Sequence, residues 1–193
     1  MSDLYQMGNR DLQDHFNSRK LADRLEEMIV HKEITERDRE FIESRDMMFI
    51  STIDEVGSPT VSYKGGDVGF IRVIDSQTLA FPGYDGNGMF LTAGNIAANS
   101  KVGILFIDFE NPLRLRLHGS AAVDLDDPML SDYTDALYMV RVTVENLFVN
   151  CPRYIHPHKK ITKSDYVPKA GRPAPVPEWK NIEELKDVLP ENL

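Results

Sequence analysis

The pattern of residues 113–118 constrains the fold of this chain more than any other feature. Leucines at positions 113, 115 and 117 alternate with Arg114, Arg116 and His118. Because successive side chains of a β-strand point to opposite faces, the pattern predicts a strand with one apolar and one basic face. Short runs rich in β-branched and aromatic residues, separated by tight turns, extend from Met47 to Val149. Strands this short and closely spaced predict a small antiparallel barrel, mainly β with flanking helices, rather than a parallel α/β sheet.

Seven segments carry a strand pattern and four carry a helical one. The strand segments are residues 48–53, 60–63, 70–74, 78–81, 102–109, 113–123 and 136–149. The helical segments are residues 18–31, 35–44, 92–99 and 128–136. Thr35 is the expected N-cap of the second helix, because Asp38 follows at the spacing of a shortened capping box.

The composition excludes several classes of protein. The 193 residues carry 22 Lys and Arg against 31 Asp and Glu, a net charge of −9. Nucleic acids and anionic membranes are bound through clustered bases, so neither is an expected partner. No apolar run approaches the roughly 20 residues that span a bilayer, and the polar N-terminus lacks a secretory signal pattern. With Cys151 as the single cysteine, no internal disulfide is possible and a cytoplasmic location is expected.

The chain divides into three segments of one domain: helices packing on the barrel at 1–45, the barrel at 46–150, and an arm at 151–193. Residues 1–150 hold 14 bases and 25 acids, whereas the arm holds 8 and 6. Seven of the eleven prolines lie in the arm, and they exclude regular helix or strand over most of it. The arm is too apolar for a solvated linker, so it is expected to lie on another surface, which in an oligomer can be the partner's. The apolar residues are Cys151, Tyr154, Ile155, Tyr166, Val167 and Trp179.

Few residues have the setting that side-chain catalysis requires. Cys151 follows a predicted strand with no helix N-terminus to lower its pKa, so a buried structural thiol is favoured over a nucleophile. His156 and His158 lack further ligands at metal-binding spacing, so no metal site is expected. The sequence contains no Gly-x-Ser-x-Gly elbow, Walker loop or dinucleotide fingerprint.

Phosphate binding is the chemistry that a distributed group of residues favours. Residues 51–124 contain only five bases, which are Lys64, Arg72, Lys101, Arg114 and Arg116. Ser62 precedes one of these bases at a strand end, a Gly-rich loop at 85–89 follows another strand, and Asn95 opens a helix. The two alternate arginines, taken alone, favour solvated side chains that pair with Glu110 or Asp124. Together with loop amides, they supply the charge-assisted donors that a phosphate requires.

Several segments, taken in order, resemble the pyridoxamine 5′-phosphate oxidase-like family of FMN-binding split barrels. The most similar segments are residues 78–82, 85–90, 94–96, 102–109 and 115–119. The run at 148–156 is similar to an uncharacterised branch of that family. The resemblance implies an antiparallel split barrel that forms a homodimer and binds two FMN molecules in clefts between the subunits.

The resemblance also implies which residues hold the cofactor. In chain order they are Val61, Ser62, Tyr63, Lys64, Phe81, Pro82, Asn87, Gly88, Met89, Arg114, Arg116, Asn150 and Arg153. The first four would contact the isoalloxazine edge and ribityl chain, and the next five would lie beside the ring and phosphate. One of the paired arginines would reach the phosphate or the flavin carbonyls, and the last two residues would come from the second subunit. Asn95 completes the expected cofactor site.

Two departures separate the chain from the pyridoxamine 5′-phosphate oxidases proper. Asn87 and Gly88 stand where those enzymes have an Arg-Lys pair, and their C-terminal Trp and Arg-x-His segment has no clear match. FMN binding is therefore favoured over pyridoxamine-phosphate oxidation. The expected function is an FMN-dependent oxidoreductase of unknown substrate, with a reductant such as NADH or NADPH, in which the flavin carries the electron chemistry.

Two alternatives to this function stay open at the level of sequence. One is a flavin-binding or stress-related module without turnover. The other is a split barrel that holds a different cofactor, haem or a deazaflavin. Haem requires an axial ligand, for which His118, His156 and His158 are the candidates.

Overall fold

Seven strands of the computed structural model, which describes residues 4–190, form one antiparallel sheet. The strands are β1 (Met47–Ile53), β2 (Pro59–Gly65), β3 (Arg72–Val73), β4 (Thr78–Tyr84), β5 (Lys101–Asp108), β6 (Leu113–Asp124) and β7 (Ala136–Val149). Their order across the sheet is β2-β1-β5-β6-β7-β4-β3, and all neighbouring pairs are antiparallel. The predicted mainly β, antiparallel architecture is confirmed and agrees with a split barrel.

Four α-helices accompany the sheet. They are α1 (Met7–His15), α2 (Arg19–Ile29), α3 (Glu36–Glu43) and α4 (Leu91–Ala98). The predicted cap of α3 is confirmed, since the Thr35 hydroxyl accepts from the Asp38 amide at 3.3 Å and the Asp38 carboxylate accepts from the Thr35 amide at 3.0 Å. Ile42 of this helix is fully buried. Within residues 4–190, no helix is long and apolar enough to cross a membrane.

The helices α1 and α2 form a hairpin that the sequence pattern predicts only in part. Neither helix has a buried residue. Arg10 of α1 contacts Asp23 of α2 at 2.6 Å, so part of what joins the two helices is polar. A polar contact does not require apolar residues at helical spacing in α1. The spacing of apolar residues in the sequence therefore predicts α2 but not α1.

The hydrophobic core lies on one face of the sheet. Leu115 and Leu117 of β6 are buried, whereas Arg116 and His118 on the other face are exposed. This confirms the two-faced strand predicted from the alternation. Phe106 of the neighbouring β5 is fully buried in the same core.

A β-bulge divides the pairing of β6 with β7. The register shifts between His118 and Gly119. A Cβ atom on Gly119 would lie 2.3 Å from the Thr143 carbonyl oxygen. Because that oxygen belongs to the backbone of β7 and cannot move aside, the bulge requires glycine at this position.

The strand β3 is shorter than the predicted segment at 70–74, because it lies at an edge of the sheet that a helix covers. The Val73 amide donates to the Glu43 carboxylate at 2.9 Å. The Val73 carbonyl accepts from the Arg39 guanidinium at 2.7 Å. Side chains of α3 thus satisfy the edge that a further strand would otherwise occupy.

The helix predicted at 128–136 is a short 3-10 turn, Pro128–Asp132. The Asp127 carboxylate caps it by accepting from the Met129 amide at 2.8 Å. Asp135 has a φ of 57°, which no right-handed helix contains. The chain therefore reverses here and enters β7 instead of continuing the helix.

The arm has no regular structure beyond two 3-10 turns, Glu178–Asn181 and Glu183–Leu185, as its prolines predict. None of residues 151–190 is buried. Three ion pairs within the described residues join the arm to the barrel: Lys160 with Asp46, Lys163 with Asp67 at 2.6 Å, and Lys180 with Asp85 at 2.8 Å. The excess of bases in the arm thus lies against acids of the barrel.

Candidate functional site

The edge strand β2 has two different faces. Val61 and Tyr63 point outward and are 68% and 61% exposed. Ser62 and Lys64 are half-buried and lie on the other face, where Ser62 pairs with the fully buried Ile50. Of the four residues of β2 that are predicted to contact the cofactor, two therefore point to each face of the strand.

Lys64 is a half-buried cation without a partner. Its ammonium group forms no hydrogen bond or ion pair with any residue in the described part of the chain. Burial lowers the pKa of Lys64 below the usual lysine value. Because nothing offsets the desolvation of this charge, an anion bound here would gain a strong contact.

The helix α4 lies beside Ser62. The Thr92 hydroxyl, in the first turn of α4, donates to the Ser62 hydroxyl at 3.1 Å. Asn95 is buried and donates to the Thr52 hydroxyl of β1 at 3.1 Å, so this predicted contact anchors the helix. Phe90, the N-cap residue, provides no side-chain cap. The first amides of α4 are therefore available to an anion.

The loop at 85–90 connects β4 to α4 and is exposed throughout. Gly88 has a φ of 74°, a conformation that favours glycine. The Asn87 side-chain oxygen accepts from the Met89 amide at 3.2 Å. The loop contains no Lys or Arg, and Asp85 makes it acidic. It offers backbone amides to a ligand but no positive charge.

Strand β4 contributes Tyr84 to the surface rather than Phe81. Phe81 is 1% exposed and belongs to the hydrophobic core, and Pro82 is buried as well. Tyr84 is partly exposed at the end of the strand, and burial raises the pKa of its hydroxyl to about 12. Tyr84 is therefore a neutral hydrogen-bond donor at physiological pH.

The outer face of the sheet carries Arg116 in a row of mainly apolar side chains. The register across β2, β1, β5, β6 and β7 aligns Tyr63, Phe49, Leu105, Arg116 and Phe148. Arg116 is exposed and has no ion pair or hydrogen bond with residues 4–190. At about 4.8 Å per strand, β2 and β6 are about 14 Å apart. One protomer does not bring Lys64 and Arg116 into the same site.

Arg114 and Asn150 meet where β6 begins and β7 has ended. Arg114 Nη2 donates to the Cys151 carbonyl oxygen at 2.8 Å. Arg114 Nε and Asn150 Oδ1 are buried and have no hydrogen-bond partner within the described residues. Leaving a buried donor and a buried acceptor unpaired costs folding free energy. A group that binds at this end of the strands could form hydrogen bonds with both atoms.

Cys151 is exposed, and the prediction of a buried structural thiol is wrong. The chain leaves the sheet after β7, and no residue of the arm around this position is buried. Hydrogen bonds from the Arg153 backbone and side chain lower the pKa of the thiol. Arg153 itself is exposed, with its guanidinium 5.8 Å from the centre of the Tyr154 ring.

Two cavities lie between the barrel and the arm. The larger, of about 840 Å³, is lined by Tyr63 and Tyr84 together with the arm. The smaller, of about 420 Å³, lies between the loop at 85–89 and the arm around Trp179. Asp85 lines both cavities. Across residues 4–190, no group of three or more His, Cys, Asp or Glu side chains is arranged to hold a metal ion.

Sequence reasoning missed the residues that the arm brings to these cavities. Lys180 contacts Asp85 across 95 positions of the chain, and no local pattern links them. The sequence places Trp179 in a proline-rich arm and indicates no neighbour for it. The excess of bases in the arm is the one signal in the sequence that points to these contacts.

Solved structures of low sequence identity are similar to this chain. The HupZ protein of Group A Streptococcus is 22% identical, with a TM-score of 0.50, over 60% of this chain and 93% of that one. A Lactobacillus delbrueckii protein, provisionally assigned as a pyridoxamine 5′-phosphate oxidase, is 22% identical with a TM-score of 0.50 over 61% and 95%. An FMN-binding protein from Syntrophomonas wolfei is 12% identical with a TM-score of 0.47 over 72% and 97%. No curated protein matches the chain.

A family profile matches a continuous part of the sequence. The profile of pyridoxamine 5′-phosphate oxidase matches residues 34–150, which is more than half of the chain. The match begins next to the cap of α3, ends just after β7, and includes all seven strands and α4. The chain therefore belongs to the pyridoxamine 5′-phosphate oxidase-like family of FMN-binding split barrels.

Proposed function

We propose that this chain is an FMN-binding flavoprotein that acts as an FMN-dependent oxidoreductase. The observation that carries the proposal is Lys64, a half-buried cation without a partner among residues 4–190. It shares a face of β2 with Ser62, which contacts the first turn of α4. Positive charge, hydroxyl groups and helix amides are the donors that a phosphate or a flavin carbonyl accepts from. Family membership supports the same cofactor.

The side chains present suit binding and orientation of a flavin. When bound, FMN would supply the electron and hydride transfer. Lys64 and Ser62 would hold the cofactor through charge-assisted and hydroxyl hydrogen bonds, and the amides of the loop at 85–90 would lie beside it. Tyr84, which stays protonated at neutral pH, would donate a hydrogen bond to a substrate in the larger cavity that it lines.

A homodimer would complete this site. In one protomer, Lys64 and Arg116 lie on strands about 14 Å apart and on opposite faces. The outer face exposes Val61 and Tyr63, and a second copy packed there would cover this apolar surface. It would also offer partners to the unpaired Arg114 Nε atom. Sedimentation equilibrium measures the mass, and a monomer that binds FMN fully would contradict the shared site.

The absorption spectrum of the purified protein, followed by a fluorescence titration with FMN, tests the proposed cofactor. We expect a yellow protein or one that takes up FMN. Lys64→Met should weaken FMN binding roughly tenfold or more, the value of one charge-assisted hydrogen bond. Lys101→Met, which removes an exposed lysine paired with Glu145 on the same sheet, is the matched control and should bind normally. A colourless protein that does not bind FMN would overturn the proposal.

Turnover is tested by mixing the FMN-loaded protein with NADH or NADPH in a stopped-flow instrument. An oxidoreductase is expected to bleach the flavin spectrum and to recover it on exposure to air. Bound FMN that neither nucleotide reduces would favour the alternative, a flavin-binding module without turnover.

Haem binding is the competing function, and His118 is the residue that favours it. Its ring lies edge-on to Phe148, with the ring centres 5.3 Å apart. Partial desolvation by the neighbouring side chains, followed by the positive charge of Arg116, lowers the pKa of His118, so the imidazole is neutral at physiological pH and has a lone pair for iron. A Soret band that disappears in His118→Ala would identify haem and overturn FMN as cofactor. An absorption spectrum typical of a deazaflavin would likewise overturn FMN and would identify a deazaflavin as the cofactor.

A further inference from the structure

The arm places one lysine deep against the loop at 85–90. Lys180 Nζ lies 2.8 Å from Asp85 Oδ2. Its side chain is only 15% exposed, whereas the other lysines that form ion pairs with carboxylates in the described residues are at least 46% exposed. The ammonium group also lies 5.7 Å from the centre of the Trp179 ring. Lys180 is therefore held in place by an aromatic ring and a carboxylate.

The surrounding cavity is lined by both charged and apolar residues. Its volume of about 420 Å³ is within the range of small-molecule sites. Met89, Leu185 and Leu189 contribute apolar walls, and the backbone of the loop at 86–88 forms one side. A ligand that fits this arrangement has an apolar or aromatic body and one anionic group.

Lys180 is the single basic residue that lines this cavity in the described structure. The loop beneath it has no Lys or Arg, although it precedes the free N-terminal amides of α4. A phosphate next to the loop would meet amide donors from the barrel and a positive charge from the arm, Lys180, which contacts Asp85 of the loop. The arm therefore supplies the positive charge that the loop at 85–90 lacks.

We infer that Lys180 is a phosphate-binding residue of the cofactor site and that Asp85 holds Lys180 in place while no phosphate is bound. This inference rests on the proposed binding of FMN. A phosphate carries more negative charge than the Asp85 carboxylate and accepts from more directions, so it would displace Asp85 from the ammonium group. Binding of the cofactor would then be coupled to the position of the arm, and the preference for FMN over riboflavin would depend on a residue outside the barrel.

The first test compares FMN with riboflavin, which has the same ring but no phosphate. Lys180→Met should weaken FMN binding roughly 10- to 100-fold and leave riboflavin binding unchanged. Lys180→Arg should retain most of the preference for FMN. Lys186→Met is the matched control, because Lys186 lies on the same arm, pairs with Glu183 and is 54% exposed. It should leave both affinities unchanged.

The second test uses Asp85, for which two explanations predict opposite results. If Asp85 competes with the phosphate for Lys180, Asp85→Asn should bind FMN severalfold more tightly. If the ion pair only fastens the arm, Asp85→Asn should bind FMN more weakly. The weaker binding would overturn the inference.

The third test does not depend on flavin. Trp179 is the only tryptophan in the chain, so its fluorescence reports on the group beside Lys180. Inorganic phosphate should change this fluorescence in a saturable way, and potassium chloride at matched ionic strength should not. The response should disappear in Lys180→Met.

The outcomes separate the inference from the proposed function. A protein that binds neither FMN nor riboflavin would overturn both. A protein that binds FMN but keeps its preference over riboflavin in Lys180→Met, and whose Trp179 fluorescence ignores phosphate, would overturn the role of Lys180 alone. A changed preference with an unchanged Lys186→Met control supports the assignment.

Discussion

The sheet and the arm are held in place by different forces. The sheet buries large apolar side chains such as Phe106 and Leu117 completely, and this burial is non-directional and is not screened by salt. The arm at 151–190 buries no residue, and two of the three ion pairs that join it to the barrel are made by lysines that are about half exposed, Lys160 and Lys163. Exposed ion pairs contribute little and are screened by salt. The barrel should therefore set the stability of the protein, while the arm should respond to ionic conditions and to ligands.

The largest expected effect comes from removing an aromatic side chain of the sheet. Phe106→Ala should lower the free energy of unfolding by about 3–5 kcal/mol, because it removes apolar burial and leaves a cavity. Ile161→Ala on the arm, where the side chain is 98% exposed, should change it by less than about 0.5 kcal/mol. Urea denaturation of the two variants measures both values. A large loss in Ile161→Ala would mean that the arm is buried in solution, for example against a second copy.

The next largest effect is expected for an Asp–Arg ion pair beside the sheet, compared with an Asp–Arg ion pair on the arm. Asp127 beside the sheet has a fully buried side chain and accepts from Arg141 Nη2 at 3.0 Å. Asp127→Asn should lower the free energy of unfolding by about 1–3 kcal/mol at neutral pH. The control is Asp165→Asn on the arm, which removes an exposed pair with Arg172 and should have little effect.

The Asp127 pair also predicts a dependence on pH. The hydrogen bonds from Arg141 lower the pKa of Asp127 below its usual value of 3.8. The stability it contributes is therefore fully present above the pKa of the unfolded chain and is lost as the pH falls through the lower folded pKa. Asp127→Asn should flatten the acid limb of the stability curve, measured by denaturation between neutral and acid pH. An unchanged acid limb would contradict the assignment.

A smaller effect is expected at the cap of α3, which joins the sheet through Ile42. Thr35→Ala removes the hydroxyl that accepts from the Asp38 amide and should cost about 1 kcal/mol. Thr35→Ser keeps the hydroxyl and should restore most of this loss. Thermal denaturation followed by circular dichroism compares the variants, and equal melting temperatures for Ala and Thr would show that the cap contributes nothing.

The smallest effect on stability, but the clearest on mobility, is expected for the arm. Lys163→Glu breaks the ion pair with Asp67 and should change the free energy of unfolding by less than about 0.5 kcal/mol. Limited proteolysis should nevertheless cut the arm faster in this variant at low salt. High salt should accelerate cleavage of the wild-type arm and remove the difference, since the pair is then screened. Pairing Lys163→Glu with Asp67→Lys should restore protection.

Local patterns predict the strands and caps of this fold well because their causes are local. The alternation at 113–118 determines which face of β6 is buried, and the turn residues bound β7 at Ala136–Val149 as predicted. The cap at Thr35 depends on a carboxylate three positions away. In each case the interacting groups are neighbours in the sequence, so the sequence displays them together.

The site is predicted less completely because its contacts join distant segments. Ser62 meets Thr92 across 30 positions, and Lys180 meets Asp85 across 95. No periodicity records such contacts, which depend on the sheet order and on the path of the arm. Cys151 is a further example. Its exposure depends on whether a distant segment of the chain covers it, and the residues next to it in the sequence do not determine this.

The order of the strands also determines when the sheet can form. The neighbours β5, β6 and β7 at its centre are the last strands of the chain, whereas β1 with β2 and β3 with β4 come earlier and occupy its two sides. Both early hairpins therefore leave the ribosome before the strands that they pair with exist. Their apolar faces have no partner until β5 reaches β1 and β7 reaches β4. The sheet therefore cannot be completed until its last strand, β7, has been synthesised.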